Sequence, residues 1–296
     1  MWGLNLEFKA DRPIDREKKR LTRRGILRRF FVGGAFLAAP TGVYAHELEP
    51  EEIQVARVDV RIKGLSRDAE GITIGRISDT HCDSPRAAAR AAKAAQILKK
   101  LKPDIVALTG DYITHNPHTR MNAAAKALEP LSDAPLGAFA VMGNHDWWSG
   151  DPDYVAKQLH GAGFRVLRNA SIPINGHDRL WLVGLEQRCD DLQDPDIALY
   201  GVPNDTVKVL LIHEPDYADE APKGFSLQLS GHSHGGQVRI PGLPPIHTPT
   251  FGRRYPEGLR QAQNHLVYTT RGVGMVGPKF RLFCPPEVGL LRLIPA

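Results

Sequence analysis

Five short apolar runs in this chain each stop abruptly at residues that bind metal ions, and that repetition restricts the folds open to it. Ile72 to Ser78 ends at Asp79, Ile105 to Thr109 at Gly110-Asp111, and Ala138 to Met142 at Gly143-Asn144-His145-Asp146. Val207 to Ile212 ends at His213, and Phe225 to Ser230 at Gly231-His232. Runs of this length, rich in β-branched residues and closed by Gly, Asp or Asn, read as strands that each deliver a loop. Between them, Pro85 to Leu101, Met121 to Leu128 and Asp151 to Leu159 read as helices. Strands alternating with helices predict an α/β sheet, whose ligand site lies beyond the carboxyl ends of its strands. The five polar ends are therefore expected to meet in one crevice.

After Gly236 the pattern turns strand-rich and proline-rich, through Gln237 to Ile240, His265 to Thr269 and Val288 to Leu293. This tail reads as the second half of a β-sandwich packed on the first. The long connection from Pro241 to Gln263 is expected to cover the site.

The charge balance separates the front of the chain from its body. Residues 1–45 hold ten Lys and Arg against four Asp and Glu, which leaves 28 basic and 29 acidic residues in 46–296. A near-neutral body indicates no nucleic-acid-binding surface. The front itself, basic from Arg12 to Arg29 and apolar from Phe30 to Ala45, reads as a targeting segment. Thr22-Arg23-Arg24-Gly25-Ile26-Leu27-Arg28 resembles a twin-arginine export signal, and Val43-Tyr44-Ala45 offers small residues for signal peptidase, with His46 first in the mature chain. The expectation is a leader over 1–45, either a twin-arginine signal peptide or a short uncleaved membrane anchor, followed by one domain over 46–296. Export would involve the twin-arginine translocase and place the domain in the periplasm or at the extracytoplasmic membrane face.

The strand ends collect Asp79, His81, Asp111, Asn144, His145, Asp146, His213, His232 and His234. Oxygen and nitrogen donors without a thiolate suit divalent ions such as Mn, Fe, Zn, Co or Ni better than a structural cysteine-zinc site. So many donors exceed the needs of one ion and point to two. Cys82, Cys189 and Cys284 form no CxxC pair; three free thiols, or one disulfide and one thiol, are both compatible with the count.

Asp79-x-His81, Gly110-Asp111, Gly143-Asn144-His145-Asp146, His213 and Gly231-His232-x-His234 together resemble the calcineurin-like metallophosphoesterases. The resemblance spans about 70 to 296 with all five blocks in order. Gly231 to Gln237, Arg271-Gly272-Val273-Gly274 and Pro286-Glu287-Val288 are similar to an exported or membrane-associated bacterial phosphodiesterase branch, whose members include UDP-2,3-diacylglucosamine diphosphatases. The resemblance implies a four-layer αββα sandwich. It also implies that Asp79, His81 and His234 hold one ion, Asn144, His213 and His232 a second, and Asp111 both, with manganese foremost.

The implied activity is hydrolysis of a phosphodiester or pyrophosphate bond by a hydroxide between the two ions. His145 would assist the leaving oxygen, and Asp146 would hold its imidazole. Two other readings are a membrane-anchored UDP-2,3-diacylglucosamine diphosphatase of lipid A synthesis and a metal-binding scaffold without turnover. The expected partner is a phosphoester substrate, with a lipid headgroup and the membrane as further candidates. His115 and His118 are candidates to line the cleft, Arg271 to contact phosphate, and Cys82 to sense the metal.

Overall fold

In the computed structural model the described residues are 40–296, so the basic stretch and the twin arginines Arg23 and Arg24 lie outside them. Twelve strands form two six-stranded mixed sheets. The first runs β1 (Gln54–Ile62), β12 (Glu287–Pro295), β2 (Thr73–Ile77), β3 (Ile105–Thr109), β4 (Ala138–Val141), β5 (Arg165–Val166). The second runs β10 (Gly258–Gln261), β11 (Leu266–Thr269), β9 (Leu227–Ser230), β8 (Val207–Leu211), β7 (His177–Gly184), β6 (Ala170–Ile174). The centres of both are parallel, β2-β3-β4 in one and β7-β8-β9 in the other.

Residue alternation explains the layering, because successive side chains of a strand point to opposite faces. Ile105 and Ala107 face inward with Leu180, Leu182, Val209 and Leu229 of the second sheet. Val106 and Leu108, one position out of phase, pack outward against Ala91, Ala94, Leu98 and Met121 from the helices Pro85–Lys100 and Pro117–Leu128. On the far side, Val183, Leu210 and Ile212 pack against Ala198 of the helix Pro195–Leu199 and Tyr217 of the turn Pro215–Asp219. Helix layer, two sheets and a second helical layer make the four-layer αββα sandwich that was expected. With both faces covered, β3 and β8 are buried at every position.

The expected strand from Gln237 to Ile240 is not formed. Gln237 has φ 59° and Gly236 φ 84°, and the segment makes only an isolated bridge between Val238 and Leu282. The connection from Pro241 is also interrupted by β10, which pairs antiparallel with β11. The body is one unit from Val43 to Ala296, starting slightly ahead of the expected boundary at His46. Among the described residues no helix is long and apolar enough to cross a membrane.

Candidate dinuclear metal centre

β2, β3 and β4 of the first sheet and β8 and β9 of the second end side by side, so their following loops share one space. Two groups of ligand atoms gather there. Asp79, His81, Asp111 and His234 form one, and Asp111, His213 and His232 the other, with the atoms of each within 4.8 Å of one another. Asp111 belongs to both.

The backbone is bent to achieve this. Asp79, His81, Asp111, His232 and His234 all have φ between 40° and 67°, a left-handed conformation that Asp, Asn and His tolerate best among residues with a Cβ. Such strain persists only where the surroundings enforce it, and it concentrates at functional sites. Positive φ at His232 and His234 turns the two rings apart, so one joins each group although a single residue separates them.

Close backbone contact locks the loops together. The Asp79 N–H donates to Gly110 O, the His81 N–H to Asp111 O, the Gly231 N–H to His213 O and the His232 N–H to Asp79 Oδ1. A Cβ on Gly143 would run into the Asp111 carboxylate, and one on Gly231 into Ser78 and Asp79. Gly143→Ala is therefore expected to destabilise the fold by about 1–3 kcal/mol and to lower metal occupancy. Urea unfolding and elemental analysis of the variant check this.

The side chains crowd their donor atoms together as in a cation site. His81 Nε2 lies 3.2 Å from His234 Nε2 and 3.5 Å from Asp111 Oδ2, while His234 Nε2 is 3.4 Å from Asp79 Oδ1. Asp79 Oδ2, Asn144 Oδ1 and His213 Nε2 are buried without a hydrogen-bond partner. Buried polar atoms are normally paired, so this concentration of orphans is the signature of a ligand sphere. Asn144, with its orphan Oδ1, lines the cavity together with Asp111, His232 and His234.

Charge shifts point the same way. Burial pushes Asp79 up to about 6 and His81 down to about 3. Burial also works against ionised Asp111, but the adjoining His213 and His81 outweigh it and hold its carboxyl well below the usual range. His213 is raised in turn by Asp111 in spite of its own burial. Two carboxylates in a dry site want positive charge, and without an ion a histidine proton has to supply it.

Outer partners fix which ring nitrogen faces inward. His81 Nδ1 is 2.8 Å from Thr114 Oγ1, which donates to Asp83; His213 Nδ1 donates to Thr109 O, and His232 Nε2 to Thr250 O. Each leaves its other nitrogen free for metal, which is how proteins set imidazole ligands.

Asp146 has a different place from the one expected. Its carboxylate accepts the N–H groups of Gly143, Asp111 and Tyr112 and does not touch the His145 imidazole. Burial and the nearby Asp111 push it up to about 8. It clamps the Asp111 loop to the Asn144 loop. His145 is held from its backbone, whose N–H donates to Asp111 Oδ1, and its ring packs edge-on against His81 and Trp148 with Nδ1 unpartnered.

Of the other candidates, His115 lies beside His145, with ring centres 6.5 Å apart, whereas His118 turns to Asp151 and Tyr154. Arg271 is tied to Glu287 and Gln54. The three cysteines are free thiols; burial pushes Cys82 up to about 12, which leaves it unreactive. Sequence patterns missed Arg76, a fully buried guanidinium that donates to Thr109 Oγ1, Ser230 O and Tyr268 O. It ties together the strand ends that carry Asp111 and His232; the only signal was an arginine inside an apolar run.

Beside the metal ligands opens a cavity of about 660 Å³ with largely apolar walls, among them Trp148, Val238, Ile246, Pro249 and Phe280. The long connection after Pro241 supplies part of this wall, as expected of it.

The chain matches the family described as calcineurin-like phosphoesterase over residues 72–236. The uncharacterized metallophosphoesterase YkuE of Bacillus subtilis is 28% identical, covering 93% of this chain and 98% of the relative. Phosphodiesterase YaeI of Escherichia coli is 30% identical, covering 88% and 96%. UDP-2,3-diacylglucosamine pyrophosphatase LpxG of Chlamydia muridarum is 27% identical, covering 88% and 95%.

Proposed function

Because this chain belongs to the calcineurin-like phosphoesterase family, we propose that it hydrolyses a phosphodiester or pyrophosphate whose phosphorus carries an organic group, using two divalent ions of which manganese is the first choice. The observation that carries this reading is the convergence of the His81 and His234 ring nitrogens with the buried carboxylates of Asp79 and Asp111, Asp111 being shared with His213 and His232. Asp79, His81 and His234 would hold one ion, Asn144, His213 and His232 the other, and Asp111 both. Bound there, the ions would neutralise the phosphate's charge and make a water molecule acidic enough to attack near neutral pH.

The chain's own groups do the rest. The Asp146 clamp keeps Asp111 and Asn144 at fixed separation, and Arg76 does the same for the ends of β3 and β9. Water's oxygen bonds to phosphorus and the bond from phosphorus to the leaving oxygen breaks. His145, on the cavity wall with Nδ1 unpartnered, supplies the proton that the leaving oxygen takes up. The apolar cavity gives the leaving or retained organic group a place to sit; its volume falls within the roughly 300–1,000 Å³ of small-molecule sites.

Protein stripped with chelator and reloaded with Mn is expected to hydrolyse bis(4-nitrophenyl) phosphate faster than the 4-nitrophenyl monoester. Silence toward every ester with two ions bound would leave a metal-binding scaffold. His145→Ala is expected to lose about 10²–10⁴-fold in kcat while retaining its metal, read from kinetics and elemental analysis on the same sample.

We also propose export by the twin-arginine route with the leader retained as an anchor. The retained form is favoured because Val43 has helical φ and ψ and Ala45 is buried in the turn Tyr44–Leu48, its carbonyl accepting the Arg281 N–H. Signal peptidase needs an extended, accessible segment, and this one is folded into the body. Intact mass of protein from its own host tests retention; a chain beginning at His46 refutes it. Loss of export in Arg23→Lys plus Arg24→Lys tests the route.

A further inference from the structure

Ten large apolar side chains are exposed among the described residues, and they are not scattered. Ile240, Leu243 and Ile246 lie on the connection after Gly236, and Phe280 and Phe283 on the loop before β12. Those two segments lie side by side: the Arg239 N–H donates to Leu282 O, and the Leu282 N–H to Gln237 O. Ile246 and Phe280 also form the cavity wall. Val43 and Leu48 join the same face, since Ala45 O accepts from Arg281 and the Glu49 carboxylate from the Phe283 and Cys284 N–H groups. Trp148 sits at the cavity, so only Ile197 and Tyr200 lie elsewhere. Ile246 is 65% exposed, and Leu243 and Phe283 are each 55% exposed. Isolated exposed apolar residues need no explanation, but a contiguous set around a site mouth marks an interaction surface.

Charge identifies the partner. Residues 237–284 contain seven Lys and Arg against one acid, Glu257, with Arg281 buried and Arg271 tied to Glu287, whereas the remainder of 46–296 holds 21 basic and 28 acidic residues by subtraction from 28 and 29. Arg239, Arg253, Arg254 and Arg260 line a second cleft of about 730 Å³ that shares Ile246 and His247 with the first; Arg239 pairs with Glu257 and Arg254 with Asp219, while the exposed Arg253 and Arg260 form no ion pair among the described residues. An apolar rim beside the exposed, unpaired guanidinium groups of Arg253 and Arg260, on an otherwise acidic body, is the composition that seats a protein in an anionic lipid interface. A soluble acidic polymer would use the arginines and leave the apolar rim in water.

We infer that this face docks on the surface of an anionic bilayer, with Ile240, Leu243, Ile246, Phe280 and Phe283 entering the interface, so that the metal centre's cavity opens onto the lipid. The substrate it admits is then a phosphoester carried by a membrane amphiphile, with its apolar part in the cavity. The substrate step rests on the phosphoesterase reading; the docking does not.

The test uses the full chain and extruded vesicles of about 30% phosphatidylglycerol in phosphatidylcholine, with binding read by flotation over a range of lipid concentrations. Ile240→Asp plus Leu243→Asp is compared with wild type and with Ile197→Asp plus Tyr200→Asp as a remote control. The leader contributes equally to all three, so the ratio of half-binding lipid concentrations isolates the patch. The patch variant is expected to need at least about fivefold more lipid, and the control to match wild type. Equal binding by the patch variant, an equal loss in the control, or no flotation of wild type overturns the docking. Turnover of bis(4-nitrophenyl) phosphate without lipid is measured separately, so failure of the enzymatic reading shows as silence there whatever the vesicles do.

Discussion

Asp111→Asn is expected to lower turnover of a diester by on the order of 10³–10⁴-fold, because losing several kcal/mol of transition-state charge stabilisation carries that factor. Asp111 is the one residue common to both ligand groups, with Oδ2 at 3.5 Å from His81 Nε2 and 3.2 Å from His213 Nε2. The asparagine keeps the side-chain volume and the oxygen that accepts the His145 N–H, so the fold should survive. What it removes is the negative charge needed between two cations. Metal content should fall from two per chain toward one, measured on the same preparation as kcat. Asp83→Asn, whose carboxylate reaches the His81 ring through Thr114 and by its charge, provides the contrast and should weaken metal affinity by about 10–100-fold. A full-rate Asp111→Asn enzyme with two bound ions would remove the reason for placing this side chain between them.

The contrast between these two aspartates also marks what a single sequence discloses. The ligand candidates were legible because each stands at the end of an apolar run, where a strand gives way to a bent loop and where Asp and His tolerate positive φ. The sandwich was legible for a related reason: β3 and β8 read as unbroken apolar strands because both of their faces are covered. Long-range partners were not legible. Asp146 looked like the natural orienter for its neighbour His145, yet its carboxylate reaches across to the Asp111 and Tyr112 N–H groups, a contact no spacing encodes. Gln237 to Ile240 has the right alternation for a strand, but pairing needs a ladder, and Leu282 offers one bridge. The hairpin of β6 and β7 went unread because Pro173 and a polar first half blur its period. Arg76 illustrates the same limit, since its acceptors come from β3, β9 and β11, far along the chain.

Withdrawing the metal is expected to lower thermal stability on the order of 10 °C. A ligand at a thousand times its Kd stabilises the native state by about 4 kcal/mol, and each kcal/mol moves the midpoint of a body this size by about 2–4 °C. The sign follows from where the ligands sit: they are assembled only in the folded chain, so the ions bind the native state and not the unfolded one. The apo site is costly as well as empty of stabilisation, because Asp79 and Asp111 are both buried and Asp79 Oδ2 and Asn144 Oδ1 are left without a partner. Differential scanning calorimetry of chelated and Mn-reloaded protein measures the effect, and Asp111→Asn should show a smaller difference between the two states. Equal midpoints with and without chelator would mean that the buried carboxylates are balanced by the protein alone, through proton sharing between Asp111 and His213. The strained loops would then need a structural cause other than the ions.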